Sequence, residues 1–271
     1  MNVSDSKFNL LKWYLDCVND KGEAIIIYAA SLKFHGVKVP YNSIIYSTNN
    51  QKFIHKSRFR NLSFPKINGN SIIFNDKKYS ISGSWKSSAN EIHTRLFNSD
   101  NGTLDWHCLQ PRSKSIVIIG KDNKFEGFGY AENLSLTIEP WKIPMTQLRW
   151  GRFTSETDYL VWIEIKSNPI KKWIWHNGSP ISNCEISDEK ITIKKTGIQL
   201  LFTNRRIIES EKKIFNIAKS LLSLIPRISN TITADFLNAD ETKWLSLGIL
   251  KQNGIIKSQG WIIHEWVEFG S

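Results

Sequence analysis

The amino-acid sequence predicts an all-β protein with a minor helical insertion, built as two consecutive antiparallel β-barrels. Short runs rich in β-branched and aromatic residues follow one another in both halves, and turn-forming residues separate them. The alternation of strands and helices that is typical of a parallel sheet is missing. The two halves also resemble each other, because Gly129-Tyr130-x-Glu132 near the end of the first is echoed by Gly260-Trp261-x-x-x-Glu265 near the end of the second. We therefore predict one barrel over residues 1–140 and another over residues 141–271.

The first half contains a series of strand-like runs joined by short turns. Asn-Asp-Lys-Gly at 19–22 and Asn-Asp-Lys at 75–77 are turn sequences, since these residues tolerate the backbone angles of tight turns. Each half opens on an aromatic strand, at Trp13 and at Trp150. In the first half we predict strands at residues 13–18, 23–34, 38–47, 52–59, 71–74, 78–81, 91–97, 103–109 and 115–119.

Residues 125–138 show the clearest strand pattern of the chain. Bulky residues such as Phe128, Tyr130 and Leu134 alternate with small or polar ones, as expected when one face of a strand is packed. Glu132 falls on the bulky face. Its carboxylate must be exposed at a barrel mouth or paired inside, because an unpaired buried charge is costly.

The second half also consists of strand-like runs joined by turns, apart from one segment with a helical pattern. Its predicted strands are at residues 159–165, 173–176, 181–186, 190–194, 198–202 and 261–269. Apolar residues at 214, 217, 218, 221 and 222 have helical spacing, which predicts an amphipathic helix near residues 211–224 that Pro226 ends. Residues 232–247 show no clear pattern.

The composition indicates a packed globular protein with a basic surface. Hydrophobic residues make up 41% and charged residues 23%, and the formal net charge is +11. The basic residues occur singly or in pairs, and no nucleic-acid-binding motif accompanies them, so we predict a solvated surface rather than a nucleic-acid site. Contact with an acidic membrane surface or another acidic partner stays open as a third class of function.

Metal-binding and targeting motifs are missing from the sequence. Cys17, Cys108 and Cys184 show no metal-ligand spacing, and the histidines are dispersed, so no metal site is predicted. The first residues do not form a signal sequence, and no apolar run reaches the roughly 18 residues that a membrane span needs. We therefore expect a cytoplasmic protein.

Several strings resemble one known superfamily. The run GFGYAENL, followed by PWKIP and LRWGRF, the opening KWYLDCV and the closing GWIIHEWVEFG are similar to the carotenoid 1,2-hydratase and AttH-like superfamily, which includes lipocalin-like Diels–Alderases. The resemblance implies two lipocalin-like barrels with an apolar ligand held in or between them. It also implies hydration, cyclisation or cycloaddition of terpenoid, polyene or polyketide-like molecules without metal or organic cofactor.

The same resemblance marks two groups of residues. Gly129, Tyr130 and Glu132 match the Gly-aromatic-x-acid signature at the end of the first barrel, and Trp150-Gly151-Arg152 matches the opening of the second. Neither match is a known catalytic signature, because the reactions and the pocket residues differ among members.

Glu132 is the first candidate for acid catalysis. Alkene hydration or cyclisation needs a proton donor beside an apolar skeleton, aromatic faces that stabilise positive charge, and exclusion of water. Burial beside Tyr130 and Trp150 would keep Glu132 protonated, whereas a nearby Arg152 would hold it as a structural ion pair. Asp105 and His107, which share one strand face, form a second candidate acid–base pair or a solvent-facing polar strand.

Large aromatic residues are the candidates for ligand binding. Tryptophan is unusually frequent, with 11 residues, and its indole ring suits either a broad core or the wall of an apolar pocket. Of the adjacent His264 and Glu265, we expect only one to line a cavity, since neighbouring strand residues point to opposite faces. The candidate ligand-binding residues are Trp150, Trp162, Trp141, Phe128, Trp175 and Glu265.

Two functional hypotheses follow for such a pocket. The first is a cofactor-independent enzyme that hydrates, isomerises or cyclises a hydrophobic isoprenoid, polyene or polyketide-like molecule. The second is a non-catalytic lipocalin-like carrier, for which a cavity lined only by apolar side chains is expected. The sequence leaves the oligomeric state open.

Overall fold

The structure is a computed structural model that describes residues 8–48, 52–60, 62–211, 236 and 238–269. The chain divides into two compact units, residues 1–143 and 144–271. Each unit contains one antiparallel sheet. Apart from Glu211, which ends a strand, the predicted helix near residues 211–224 lies outside the described residues.

The first unit is a sheet of ten strands. Their order is β4-β3-β2-β1-β10-β9-β7-β6-β5, and β8 pairs with β9. The strands are β1 (Phe8–Val18), β2 (Ala24–Phe34), β3 (Val37–Ser47), β4 (Ile54–Arg58), β5 (Lys66–Asn68), β6 (Ser71–Asp76), β7 (Ile81–Ser87), β8 (Ile92–Ser99), β9 (Gly102–Ile119) and β10 (Asn123–Leu136).

The second unit is a sheet of nine strands. Their order is β14-β13-β12-β11-β19-β18-β17-β16-β15. A short 3-10 turn, Pro140–Lys142, ends the first unit, and another, Lys194–Thr196, joins β16 to β17. The strands are β11 (Gln147–Ser155), β12 (Tyr159–Lys166), β13 (Lys171–His176), β14 (Ser179–Pro180), β15 (Cys184–Ile186), β16 (Lys190–Ile193), β17 (Ile198–Glu211), β18 (Asp240–Gln252) and β19 (Ile255–Glu268).

Both sheets share one plan. Most successive strands are neighbours, and the first strand pairs with the last, β1 with β10 and β11 with β19. Among the described strands of the first unit, β7 and β8 do not pair with each other, since both pair with the long strand β9. An up-and-down meander whose first and last strands pair is the connectivity of a β-barrel. In the part of the chain that the structure describes, this order is interrupted between β4 and β5 and between β14 and β15. The prediction of an all-β fold made of two consecutive lipocalin-like barrels is thus confirmed.

Several strand boundaries differ from those predicted. Residues 103–109 and 115–119 belong to one long strand, β9, and Tyr79 and Ser80 lie in a turn before β7. The closing strand β19 begins at Ile255 rather than at residue 261. β18 occupies much of the segment for which the sequence pattern made no assignment.

The register of the last strands gives the two units a common reference point. In the first, Glu132 of β10 lies opposite Tyr14 of β1. In the second, Glu265 of β19 lies opposite Trp150 of β11. Each glutamate therefore faces an aromatic residue of the first strand of its own unit.

The same strand register changes which residues of the two units are matched in the predicted sequence repeat. With Glu132 and Glu265 superposed in register, Gly260 corresponds to Gly127 and not to Gly129. The sequences Gly127-Phe128-x-x-x-Glu132 and Gly260-Trp261-x-x-x-Glu265 then match without a change of spacing. The agreement of sequence and register supports an internal duplication.

Each unit has its own apolar core, made of alternate residues of its strands. In the first unit, Leu15 and Cys17 of β1 pack with Ile25 and Ile27 of β2, and Trp85 joins them. Burying a large apolar side chain contributes about 1.5–3 kcal/mol, so these clusters supply most of the drive for folding. The core of the second unit consists of Phe153, Leu160, Trp162, Ile174, Ile191, Ile193, Ile198, Leu200, Phe202, Leu250 and Ile262.

Candidate functional site

A cavity of about 130 Å³ lies within the second unit. Its wall combines tryptophan rings with charged and hydrogen-bonding side chains, and it draws on strands that are far apart in the sequence. The residues that line it are Arg149, Trp150, Trp162, Ile186, Ser187, Asp188, Phe202, Arg205, Trp244, His264, Glu265 and Trp266.

Strand pairing brings one row of these residues together. Gly151 of β11 lies opposite Trp162 of β12 on one side and opposite His264 of β19 on the other. His264 in turn lies opposite Trp244 of β18. A Cβ on Gly151 would lie 2.2 Å from Cζ2 of Trp162, so only glycine leaves room for that ring to lie across β11.

Flat rings stack along the cavity wall. Trp162 stacks on Phe202 with ring centroids 5.6 Å apart and planes 22° apart. Trp244 stacks on His264 with ring centroids 5.0 Å apart and planes 20° apart. Phe202 also contacts His264, with ring centroids 4.9 Å apart. Such a wall presents several planar apolar surfaces to a bound molecule.

His264 is the buried polar group of this wall. It is 7% exposed, and its Nε2 lies 3.1 Å from Oγ of Ser246. Burial, and then the positive charge of Arg205, lower the pKa of His264 to about 3. The imidazole is therefore neutral at physiological pH and a weak base, so it suits hydrogen bonding to a ligand better than proton abstraction.

Arg149 ties the cavity wall to the residues that follow β15. Its Nη1 donates to the carbonyl oxygen of Ile186 at 3.2 Å, and its Nη2 lies 2.9 Å from Oδ1 of Asp188. The guanidinium lies over the ring of Trp266 at 5.4 Å. Its Nε is 3.9 Å from Oε1 of Glu164, beyond hydrogen-bond distance.

Glu265 is held by a buried lysine. Lys243, whose side chain is 1% exposed, contacts Oε2 of Glu265 and lies 3.5 Å from Oε1 of Glu241. A buried ammonium needs such partners, because an uncompensated charge in the interior costs several kcal/mol. The pairing holds the carboxylate on the face of β19 opposite His264, because Lys243 and Trp244 are neighbours on β18 and pair with Glu265 and His264 in turn.

Three predicted ligand-binding residues line this cavity. They are Trp150, Trp162 and Glu265. Both His264 and Glu265 contribute atoms to its wall, but their side chains point to opposite faces of β19, the imidazole towards Trp244 and the carboxylate towards Lys243. The expectation that only one of these neighbours lines a cavity with its side chain stays a prediction. Main-chain atoms also form cavity walls, and the alternation of side chains along a strand does not restrict them.

Glu132 takes part in a polar network inside the first unit. Its Oε2 accepts hydrogen bonds from the hydroxyl of Tyr130 and from Nε1 of Trp106, each at 2.5 Å. Tyr130 and Trp106 are buried. Burial, with Cys108 and Glu132 nearby, raises the pKa of Tyr130 well above its usual value, so its hydroxyl stays protonated and can donate.

The network lies on the face of β10 opposite the core. Ala131 and Phe125 belong to the apolar core of the first unit, whereas Tyr130 and Glu132 point the other way. The bulky side of this strand is thus not the one that fills the barrel. Tyr14, opposite Glu132, donates to the buried carboxylate of Asp16 at 3.0 Å.

Arg152 is buried in the second unit. Its Nη1 donates to the carbonyl oxygen of Trp261 at 3.0 Å. Arg152 and Glu132 belong to different units, so the predicted ion pair between them stays a prediction.

Asp105 and His107 have separate partners at the surface of the first unit. Asp105 accepts from Nε of Arg95 and Oγ1 of Thr103, both at 2.8 Å. Partial burial raises its pKa, but these hydrogen bonds outweigh that effect and lower it. His107 bonds to Glu91 at 2.9 Å. An acid–base role for the two stays a prediction.

The other predicted aromatic residues lie outside the cavity wall. Trp141 makes edge-to-face contacts with Phe8 and Phe34, at 6.0 and 5.7 Å. The guanidinium of Arg112 lies 5.2 Å from the ring of Phe128. Trp175 is buried on β13, opposite Val161.

The sequence reasoning missed most of the polar and aromatic wall. Arg149, Trp244 and Trp266 are not among the predicted residues, and of the neighbours His264 and Glu265 only Glu265 is. One available signal was the two-residue spacing of His264 and Trp266, which places both on one face of the closing strand. In the described residues, no group of three or more His, Cys, Asp or Glu side chains could hold a metal ion, and no helix is long and apolar enough to cross a membrane.

Comparison with known proteins gives a likeness in fold. Neither a family model nor a curated protein matches the sequence. A protein of Nitrosomonas europaea that carries the name AttH matches over 96% of this chain and 92% of its own, with a TM-score of 0.51 and 9% identity. Kievitone hydratase from Nectria haematococca matches over 96% and 89%, with a TM-score of 0.58 and 8% identity.

A third solved structure has the same layout. CghA matches over 97% of this chain and 88% of its own, with a TM-score of 0.55 and 10% identity. CghA is also known in a structure with Sch210972. At these identities the likeness shows the fold alone, and the AttH-like resemblance is confirmed at that level.

Proposed function

We propose that this protein is an enzyme that binds a hydrophobic small molecule in the cavity of the second unit and hydrates, isomerises or cyclises it. The observation that carries the proposal is the mixed wall of the cavity, in which tryptophan rings accompany one neutral imidazole and the paired charges of Arg149 and Asp188. Aromatic faces can stabilise developing positive charge, and a carboxylate at the wall can transfer a proton.

The polar groups favour an enzyme over a carrier. A carrier is expected to have a cavity lined by apolar side chains, whereas Arg149, Asp188, His264 and Glu265 line this one. The fold shared with kievitone hydratase, a protein named for a hydration, is consistent with this choice.

The size of the cavity limits what enters it. A cavity of about 130 Å³ is close to the roughly 150 Å³ of an engineered cavity that holds benzene. Typical sites for larger ligands span about 300–1,000 Å³. We therefore propose that a single ring, or one end of a longer molecule, occupies the cavity during the reaction.

Asp188 is the proposed proton-transfer group. It lines the cavity beside Arg149, and its side chain is 53% exposed. His264 and the tryptophan rings then hold the substrate and exclude water, which strengthens electrostatic interactions in the site. No metal or organic cofactor is assigned a role in this proposal.

The experiment is a conversion assay with a panel of prenylated aromatic, terpenoid and polyene compounds. Mass spectrometry detects hydration as the gain of one water, and chromatography separates isomers and cyclised products of unchanged mass. Asp188→Asn should lower turnover strongly while binding persists. Asp122→Asn is the matched control, because Asp122 is exposed and does not line the cavity.

The assay also identifies the rival function. Tight binding of a panel member without any conversion would assign the protein to the carriers. Equal turnover in Asp188→Asn and the unmodified protein would remove Asp188 from the mechanism.

A further inference from the structure

We propose that the cavity of the second unit takes a planar, ring-sized molecule that carries a carboxylate or a similar oxyanion. This inference rests on the proposed function, because it names the chemical class of the molecule that the same cavity would bind.

The shape of the cavity favours a flat ring. Trp162 with Phe202, and Trp244 with His264, form two stacked pairs whose planes differ by 22° and 20°. Flat walls make more contact with a planar ring than with a branched or saturated skeleton of the same volume. The volume of about 130 Å³ suits one such ring.

Two guanidinium groups supply positive charge at the wall. Arg149 contacts the carboxylate of Asp188 at 2.9 Å, and Arg205 donates to the main-chain oxygen of the same residue. Both arginines line the cavity and converge on one residue. The charge of Arg205 also acts at His264, where it contributes to the lowered pKa of the imidazole. The interior of the cavity is therefore a place where negative charge is favoured.

The acidic residues nearby differ in how firmly they are held. Glu164 is buried and bound by Lys172 at 3.0 Å, and Glu265 is bound by the buried Lys243. Asp188, in contrast, is 53% exposed in its side chain. Because an exposed ion pair contributes little, a ligand carboxylate can replace Asp188 at Arg149. A guanidinium binds a carboxylate through two parallel hydrogen bonds, and neutral His264 can donate a further one.

The test compares benzoate with benzamide, a neutral molecule of nearly the same shape. We expect calorimetry at pH 7 to give a dissociation constant for benzoate at least about tenfold lower than for benzamide. Benzoate should also shift the imidazole resonance of His264, which is assigned by its absence from a His264→Asn variant. Equal affinity for the two compounds would overturn the proposal.

Variants of Arg205 test whether the preference for benzoate arises in this cavity. Arg205 is exposed, so Arg205→Gln should fold, and it should weaken the preference for benzoate without abolishing it, because Arg149 remains. Arg205→Lys keeps the charge and should keep the full preference, and Lys195→Gln, which removes one exposed charge elsewhere in the unit, should leave the preference intact. An unchanged preference in Arg205→Gln would overturn the assignment to this cavity.

The two proposals can fail separately. Benzoate binding tests the chemical class of the ligand and does not require turnover. If benzoate is preferred but no compound of the panel is converted, only the enzymatic proposal fails. If panel members are converted but benzamide binds as well as benzoate, only the anionic class fails.

Discussion

Gly127 and Gly260 are equivalent positions at which the last strand of each unit crosses the main chain of the first. A Cβ on Gly127 would lie 2.1 Å from the carbonyl oxygen of Val18, and a Cβ on Gly260 would lie 2.0 Å from that of Thr154. Non-bonded atoms do not approach each other this closely, so the main chain of the neighbouring strand leaves no room for a side chain at either glycine. The same close approach in both units indicates that each barrel is closed at this crossing in the same way.

Gly260→Ala tests this crossing. The added methyl has main-chain neighbours that cannot rotate away, so β11 and β19 must separate and lose ladder hydrogen bonds. Overpacking costs typically about 1–3 kcal/mol and occasionally more, and we expect the upper end of this range or beyond. Urea unfolding of the second unit measures the loss.

Gly254→Ala, in the same unit, is the control for this prediction. Gly254 has a φ of +83° and open space around its Cβ position, so alanine there meets only backbone strain, which costs about 1–2 kcal/mol. Equal losses in the two variants would mean that the crossing relaxes easily, and the steric argument would be wrong.

His264 should make stability depend on pH. Its pKa is about 3 in the folded protein, against an ordinary value of 6.5. Between these values the unfolded chain binds a proton that the folded protein does not, so stability is complete above about pH 6.5 and falls as the pH falls towards 3. The expected slope is up to about 1.4 kcal/mol per pH unit.

Denaturant titrations between pH 4.5 and 6.5 measure this slope, above the range in which the carboxylates titrate. His264→Gln should flatten it, whatever the variant does to stability at pH 7. His55→Gln, at an exposed histidine, should leave it unchanged. A slope that is the same in all three proteins would show that His264 is accessible to protons.

The sequence predicted the strands whose buried positions are apolar. β2, for example, is a run of isoleucines and alanines, and its predicted bounds differ from the observed ones by one residue. β18 was not predicted, because its buried positions include Glu241 and Lys243. A strand is predicted from apolar residues at alternate positions, and charged residues at buried positions break that pattern even when they neutralise each other.

The cavity was predicted only in part for a related reason. Trp150 and Trp162 were candidates because tryptophan suits a pocket wall, but the sequence does not reveal which rings face one another. Gly151 faces both Trp162 and His264 only once the register of three strands is fixed. That register depends on pairings across more than a hundred residues, which local patterns do not contain.

Glu132→Gln should test architecture against catalysis. The substitution weakens two hydrogen bonds to a charged acceptor, from Tyr130 and Trp106, and each such bond contributes about 1.5–3 kcal/mol. We expect a lower melting temperature. Because Glu132 lies in the first unit, outside the wall of the described cavity, benzoate affinity should not change.

Trp106→Phe is the matched variant, since it removes one donor of the same network and keeps an aromatic ring. It should lower the melting temperature by a smaller or similar amount. Loss of turnover in Glu132→Gln with unchanged melting temperature would instead identify Glu132 as a catalytic acid.

Asp158 should stabilise the second unit in a pH-dependent way. Its buried carboxylate accepts from Oγ1 of Thr157 at 2.7 Å and contacts Nζ of Lys257 at 3.0 Å and Nε2 of His176 at 3.1 Å. Burial alone would raise its pKa, but these hydrogen bonds outweigh burial and hold the pKa well below the usual 3.8. A carboxyl with a lowered pKa contributes stability that is present above about pH 4 and is lost as the pH falls below it.

Asp158→Asn removes the charge and keeps the shape, and we expect it to cost about 2–3 kcal/mol at pH 7, the range of one strong hydrogen bond to a charged group. The difference from the unmodified protein should shrink as the pH is lowered to 2, because the native carboxyl approaches its own protonation. Asp122→Asn, in the exposed turn between β9 and β10, should cost little at either pH. A cost for Asp158→Asn that is as large at pH 2 as at pH 7 would mean that shape, and not charge, holds this cluster together.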